Sequence, residues 1–397
     1  MKKQLAGILL LLWTGCILAQ PIGDTVVFPA VEGPYQVSRN DHEHLLASYY
    51  GISSFDPSQR YVTVLETDVK YRLPDENDTA TLGMIDLQTH EFIPLTQTRA
   101  WNFQQGCMAH WLGSSDSLII YNDFRNGRFI AIIFNVFTRK EVRIIPKPVS
   151  GVSPDGREAV CLNFSRLRLL RPDYGYGGGG QEVNARDTFP DDDGLFLINL
   201  GTGTSRLLVS LAQIRDKIPQ LQGGSIAWFN HTLFSRDGTQ VFWLCRQRDA
   251  HGWVTNAFTV HRDGTGLKRC FPDDWGGSHF DWLNGSDLMV TAKWQGKQFS
   301  HILFTPGKGN YVRLGRGILD FDAHGTFSPD RKWMLTDTYP DAVTREQRIF
   351  LMDMHSQAVM CLGRFVEPAE FSGHWRCDLH CRWSPLSDKI AFNSTQS

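Results

Sequence analysis

From about residue 53 onward the chain alternates apolar and polar positions in short runs, and the alternation restarts seven times after the same kind of punctuation. The restarts read SSFDPSQRYVTVL, HWLGSSDSLIIY, SGVSPDGREAVCL, HTLFSRDGTQVFWL, FDWLNGSDLMVTA, GTFSPDRKWMLT and CRWSPLSDKIAF. Each predicts a short strand, a tight turn through Asp or Gly, and a second strand of period two. Further strand pairs follow six of them, for example GMIDLQTHEFIPLT and AIIFNVFTRKEVRII. Four-stranded antiparallel units repeated seven times predict an all-β fold, a seven-bladed β-propeller whose closure leaves few sheet edges exposed. The repeats run nearly end to end, so residues 20–397 are expected to form one domain. No seventh outer pair precedes the end at NSTQS. The N-terminal segment TVVFPAVEGPYQV is expected to supply it, unless those strands lie beyond the sequence given.

Within this repeat four histidines share one phase. His231, His279, His324 and His380 each stand four residues before the Ser-Pro position of their units. Equivalent positions in equivalent units present side chains at equivalent points of a ring. Converging imidazoles suit a metal site or proton-transfer chemistry. His279, His324 and His380 are the candidate metal ligands, with manganese, zinc, iron and nickel all compatible. Asp281, Asp322 and Asp378 each lie two residues from one of these histidines, a spacing that puts both side chains on one face of a strand. Asp378 is the carboxylate carried forward as a ligand.

In a propeller the residues opening each first strand meet the loops between second and third strands on one face. Those loops are polar, and the third unit carries a long insertion, residues 166–193, in which binding residues are expected. It offers Arg166, Arg168, Arg171 and Tyr174, with Asn163 just before it; TDTYPDAV offers Tyr339. Trp101, Gln104 and Gln105 in AWNFQQG present an aromatic face and amide hydrogen bonds, which together suit a sugar ring.

A net charge of −2 gives no reason to expect nucleic acid or an anionic membrane surface as partner. Lys2 and Lys3, the apolar run from Leu5 to Trp13 and the small residues after it read as a secretion signal cleaved after Ala19. The run is too short for a membrane span. The protein is therefore expected to be exported, periplasmic or secreted, with lipidation at Cys16 as the alternative. Seven cysteines follow the signal, and an odd number cannot all pair. Small buried hydrophobes are the expected role for most of them, and Cys377 and Cys381 beside His380 leave a thiolate metal site as an alternative.

The SPDG-type units resemble the TolB-type propeller repeat. The motifs HTLFSRDG, SHFDW, AHGTFSPD and DLHCRWSP resemble oligogalacturonate lyases, seven-bladed enzymes of pectin breakdown, and the likeness covers most of the chain at the level of repeats. It implies a manganese ion on the channel face, His279 and His380 among its ligands, and His231 as the base that takes a proton from a uronate ring. Arg166 and Arg171 would then share the task of stabilising the developing charge, and an acidic oligosaccharide would be the substrate. The family's Gln and paired histidines are replaced here by His374, Trp375 and Asp378 ahead of His380. A noncatalytic binding propeller, and a propeller glycosidase using Asp281 and Asp337, are the alternative readings.

Overall fold

The computed structural model describes residues 7–19, 26–38, 42–178, 186–218, 226–249, 252–272 and 275–396. Residues 179–185 of the long insertion, and Lys2, Lys3 and Gln20 of the signal reading, lie outside them. The strands form seven four-stranded antiparallel sheets, the propeller predicted from the repeat. Six blades are made of strands consecutive in sequence. Blade I runs Glu43–Leu46, Tyr61–Thr67, Ala80–Asp86 and Glu91–Thr98. The inner strands of blades II to VI begin at His110, Gly151, Trp228, Phe280 and Gly325.

The repeated turn explains its own sequence. In blade III the Ser153 hydroxyl donates to Asp155 (2.6 Å) and accepts from the backbone N–H of Glu158 (3.0 Å). Ser328 does the same with Asp330 and Trp333, and Ser384 with Asp388 and Lys389. The fourth turn residue needs a left-handed backbone, which glycine adopts without strain at Gly156 and Gly238. Arg331 and Ser387 hold the same conformation (φ 64° and 63°) in the two worn copies. The turn therefore outlasts its glycine at a cost of about 1 kcal/mol.

The seventh blade is closed by the N-terminus, with one difference from expectation. Lys389–Ser394 pairs first with Gly7–Ala19, register Gly7 opposite Ser394 to Leu12 opposite Lys389, and Val26–Gln36 is the outermost strand. The segment expected to supply both outer strands supplies one. The other is the run read as a signal, because a long apolar stretch offers strand pairing whichever face turns inward. Across the ring seam Arg382, buried in blade VII, donates to the carbonyls of His380 and of Ser48 in blade I. Asn393 accepts from the backbone N–H of Leu46 at 3.1 Å.

The seven cysteines from Cys107 to Cys381 stand as thiols, and Cys107, Cys161, Cys245, Cys270 and Cys381 are buried, as small core residues are expected to be. Burial pushes the thiols of Cys377 and Cys381 well up, which opposes the thiolate a metal needs. Among the described residues no helix is long and apolar enough to cross a membrane.

Candidate functional site

Two tyrosines occupy the centre of the ring and touch all four repeat histidines. Tyr49 stacks on His231, centroids 4.8 Å apart and planes 11° apart, and meets His380 edge-on at 5.6 Å. Tyr50 contacts His324 at 5.0 Å and His279 at 5.7 Å. Its hydroxyl accepts from the backbone N–H of Phe280 at 2.6 Å. The chain carrying this pair is held by a close backbone approach. A Cβ at Gly106 (φ 56°) would lie 2.4 Å from the Ala47 carbonyl, and that carbonyl accepts from Cys107 and Ala109. Neither tyrosine was singled out in the sequence, because both fall before the first turn motif.

His231 stands on a bulge of blade IV, where the register shifts between Asn230 and Leu233. Its φ of 53° is left-handed, an unusual state for a non-glycine residue and one that clusters at functional sites. The bulge re-aims the ring into a cavity of about 340 Å³ lined by Arg171, Tyr174, His231, Arg246, Thr255, Ser278, His279, Asp322, Tyr339 and Arg376. Burial, followed by the charge of Arg246, holds the His231 imidazole well below its ordinary pKa. It is therefore neutral near pH 7, and Nδ1 has no protein partner. A neutral imidazole on the cavity wall can accept a proton.

The other three histidines divide into two groups. His324, Asp378 and His380, all buried, place their ligand atoms within 4.8 Å of one another. The Nε2 atoms of His324 and His380 face each other at 3.1 Å. Two cis ligands with bonds of about 2.1 Å to one ion would stand this far apart. Asp337 accepts from His324 Nδ1 (2.9 Å) and from the backbone N–H groups of His324 and His380 (3.0 Å each). It thereby fixes the outward lone pair of His324, as a carboxylate behind a ligating imidazole does. Burial and neighbouring positive groups keep His380 well below its usual pKa. These three residues fit a divalent ion of nitrogen and oxygen preference.

His279 does not join them. Its Nε2 lies 3.1 Å from the hydroxyls of Tyr339 and Ser278, and Nδ1 lies 3.3 Å from Asp322 without the alignment of a hydrogen bond. Both ring nitrogens face cavity partners, so His279 positions Tyr339 in the described geometry.

Of the remaining expected site residues, Arg171, Tyr174 and Tyr339 line the cavity. Arg166 is buried elsewhere and ties the short helix Phe164–Leu170 to the Ala227 and Thr188 carbonyls at 2.6 and 3.0 Å. Asn163 is the cap of that helix, accepting from Arg166 N–H at 2.8 Å and donating to Asp193 at 2.9 Å. Arg168 lies outside the cavity lining, and its backbone packs against Gly175. Charged side chains in the insertion were expected to face substrate; of Arg166, Arg168 and Arg171 only Arg171, the C-terminal cap of the helix, lines the cavity. Trp101 is fully buried and donates to the Asp78 carbonyl at 3.0 Å, a core position with no face open to a sugar. Gln104 is buried beside a smaller pocket and accepts from Arg376 at 3.3 Å; the Gln105 backbone N–H is fixed by Asn102. Asp281 accepts from Thr326, Phe327 and Trp282 and pairs with Arg236, clamping blades V and VI together. Neither it nor Asp337 lines the cavity.

Two arginines of the cavity were missed. Arg376 Nε donates to both carboxylate oxygens of Asp378, at 2.9 and 2.8 Å. Arg246 lies in the second strand of blade IV, Gln240–Asp249, toward the end that leads into the kind of loop the sequence reading searched in other blades. Applied to FWLCRQRD, the same rule finds it.

Fold and cavity define a class, an all-β propeller with histidines of four neighbouring blades gathered around its axis. No protein-family model matches the chain, and no curated protein does. Among solved structures it is similar to an oligogalacturonate lyase in complex with manganese, with TM-score 0.63, 14% identity, and 97% of this chain and 94% of that one covered. It is also similar to a GH74 xyloglucanase from Xanthomonas campestris, with TM-score 0.51, 11% identity, and coverage of 89% and 52%. TolB from Acinetobacter baumannii gives TM-score 0.39, 15% identity, and coverage of 85% and 81%. At these identities the likeness is one of fold.

Proposed function

We propose that this chain is an exported carbohydrate-active propeller that cleaves uronate-containing oligosaccharides by metal-assisted β-elimination. The observation that carries the reading is a neutral His231 imidazole lining a cavity that also holds Arg171, Tyr174 and Tyr339. His231 takes the C5 proton. Tyr339, held by His279, faces the same space and supplies a proton to the departing oxygen. Arg171 and Tyr174 bind and orient the sugar. His324, Asp378 and His380 would hold a divalent ion, manganese by similarity to the lyase. Such an ion, when bound, acts as a Lewis acid on an acidic sugar's oxygen. The glycosidase alternative has less support, since Asp281 and Asp337 are taken up by backbone and histidine partners.

The test is to incubate the full chain with oligogalacturonates and with glucuronate-containing oligosaccharides, each with manganese, zinc or no metal, while following ultraviolet absorbance of the C4–C5 double bond. Metal-dependent absorbance is expected. Binding without any unsaturated product would favour a noncatalytic propeller, and cleavage without a double bond a glycosidase. Export belongs to the same proposal. Residues 7–19 cannot be both a removed leader and a strand of blade VII, so a mature protein beginning at Gln20 would require that blade to be completed differently.

A further inference from the structure

Three arginines line the cavity, and their neighbours distinguish them. Arg376 is neutralised by Asp378 at 2.8 Å, and Arg171 has Asp173 at 3.8 Å. Arg246 pairs with no carboxylate among the described residues. Its NH2 donates to the Gly277 carbonyl at 3.2 Å, and its Nε is buried without a partner. Burial is the largest influence on this guanidinium and disfavours its charge, and Arg171 nearby disfavours it further. Retaining an unmatched cation there, beside a second one, costs stability unless an anion completes the site.

The position of Arg246 says which anion. It faces Trp228 across the first two strands of blade IV, three residues before His231 on the same inner strand. Arg246 is the strongest charged influence on the His231 ring. A base and an anion clamp on one blade, opening to one cavity, match a group whose acidic C–H and carboxylate share a carbon. A uronate ring has this arrangement at C5. We infer that Arg246, together with Arg171, is the carboxylate clamp of the reacting ring, and that it makes the site select free uronates over their esters and over neutral sugars. A guanidinium presents a planar fork that matches two carboxylate oxygens, and a methyl ester offers no second charged oxygen. The inference deepens the proposed lyase reading by fixing how the reacting ring is recognised, and it rests on that reading for the role of His231.

Calorimetric titration of the full chain in metal-free buffer with D-galacturonate, its methyl ester and D-galactose tests this without turnover. The wild type should bind the acid about 10- to 100-fold more tightly than either neutral ligand, the worth of a charged hydrogen bond. Arg246→Met, which keeps most of the side-chain volume, should abolish that preference, and Arg246→Lys should restore part of it. Thermal melts of the variants would show that the blade still folds. A wild type with no acid preference, or a folded R246M protein that keeps it, overturns the inference. Because the readout is binding, its failure is separable from that of the lyase reading. An acid preference without unsaturated product leaves the clamp standing and removes the lyase; product without acid preference does the reverse.

Discussion

Replacing His231 by alanine should lower kcat for elimination about a thousandfold, within the range that a positioned general base contributes, while leaving KM within a few-fold. The imidazole is neutral and lines the cavity. Its ring is held by Tyr49 on one face and Tyr174 edge-on at 4.9 Å. Removing it takes away the proton acceptor and leaves Arg171, Arg246 and Tyr339 in place. The pH dependence has a definite sign. A base works in its deprotonated form, and burial and Arg246 push His231 below the ordinary histidine value. Activity due to this group is therefore retained as pH falls through about 6.5, the usual imidazole midpoint, and is lost only at more acidic pH. An acid limb of kcat/KM above that midpoint, or a His231→Ala protein of near wild-type rate, would remove His231 from the reaction.

The largest effect on stability is expected at Arg382. Its guanidinium is 1% exposed and donates to the carbonyls of His380 in blade VII and Ser48 in blade I. Arg382→Met would leave both carbonyls buried without these donors at the seam where the ring closes. Such losses cost about 3–5 kcal/mol when a buried charged network is broken. With an unfolding entropy of about 2 cal/mol/K per residue, this corresponds to a melting point lower by about 5 °C. Ser48 precedes Tyr49, and His380 belongs to the candidate metal cluster, so any manganese affinity should fall in the same variant. An R382M protein that melts with the wild type and binds metal equally would show that the seam is held by the strand pairing alone.

Much of the scaffold was legible because the repeat writes it out. The Ser–Asp turn appears in the sequence as SPDG or a relic of it, and the same hydrogen bonds recur at Ser153, Ser328 and Ser384. The shared phase of four histidines was also readable, since equivalent strand positions converge in a ring. What each histidine does was less so. His231 is aimed by a bulge, and His279 is turned toward Tyr339 by partners far away in sequence; neither leaves a local signature. Arg166 and Arg171 look alike in RLRLLRPD, yet one anchors a helix and the other lines the cavity, a choice made by tertiary packing. Trp101 read as a sugar platform because its flanking glutamines are polar, but Trp101 is fully buried, the Gln104 amide accepts from Arg376, and Gln105 is held through its backbone N–H. The N-terminal run satisfies the pattern of a leader and that of a strand, and length and hydropathy do not separate the two.

The account turns on whether His324, Asp378 and His380 form a cation site beside Tyr49 and Tyr50. The direct measurement is diffraction from crystals grown with manganese, recorded on both sides of the metal's absorption edge. A single anomalous peak between the facing Nε2 atoms of His324 and His380, within bonding distance of Asp378, is the predicted result. An active protein whose crystals show no peak there, or whose manganese sits away from these three side chains, would contradict it.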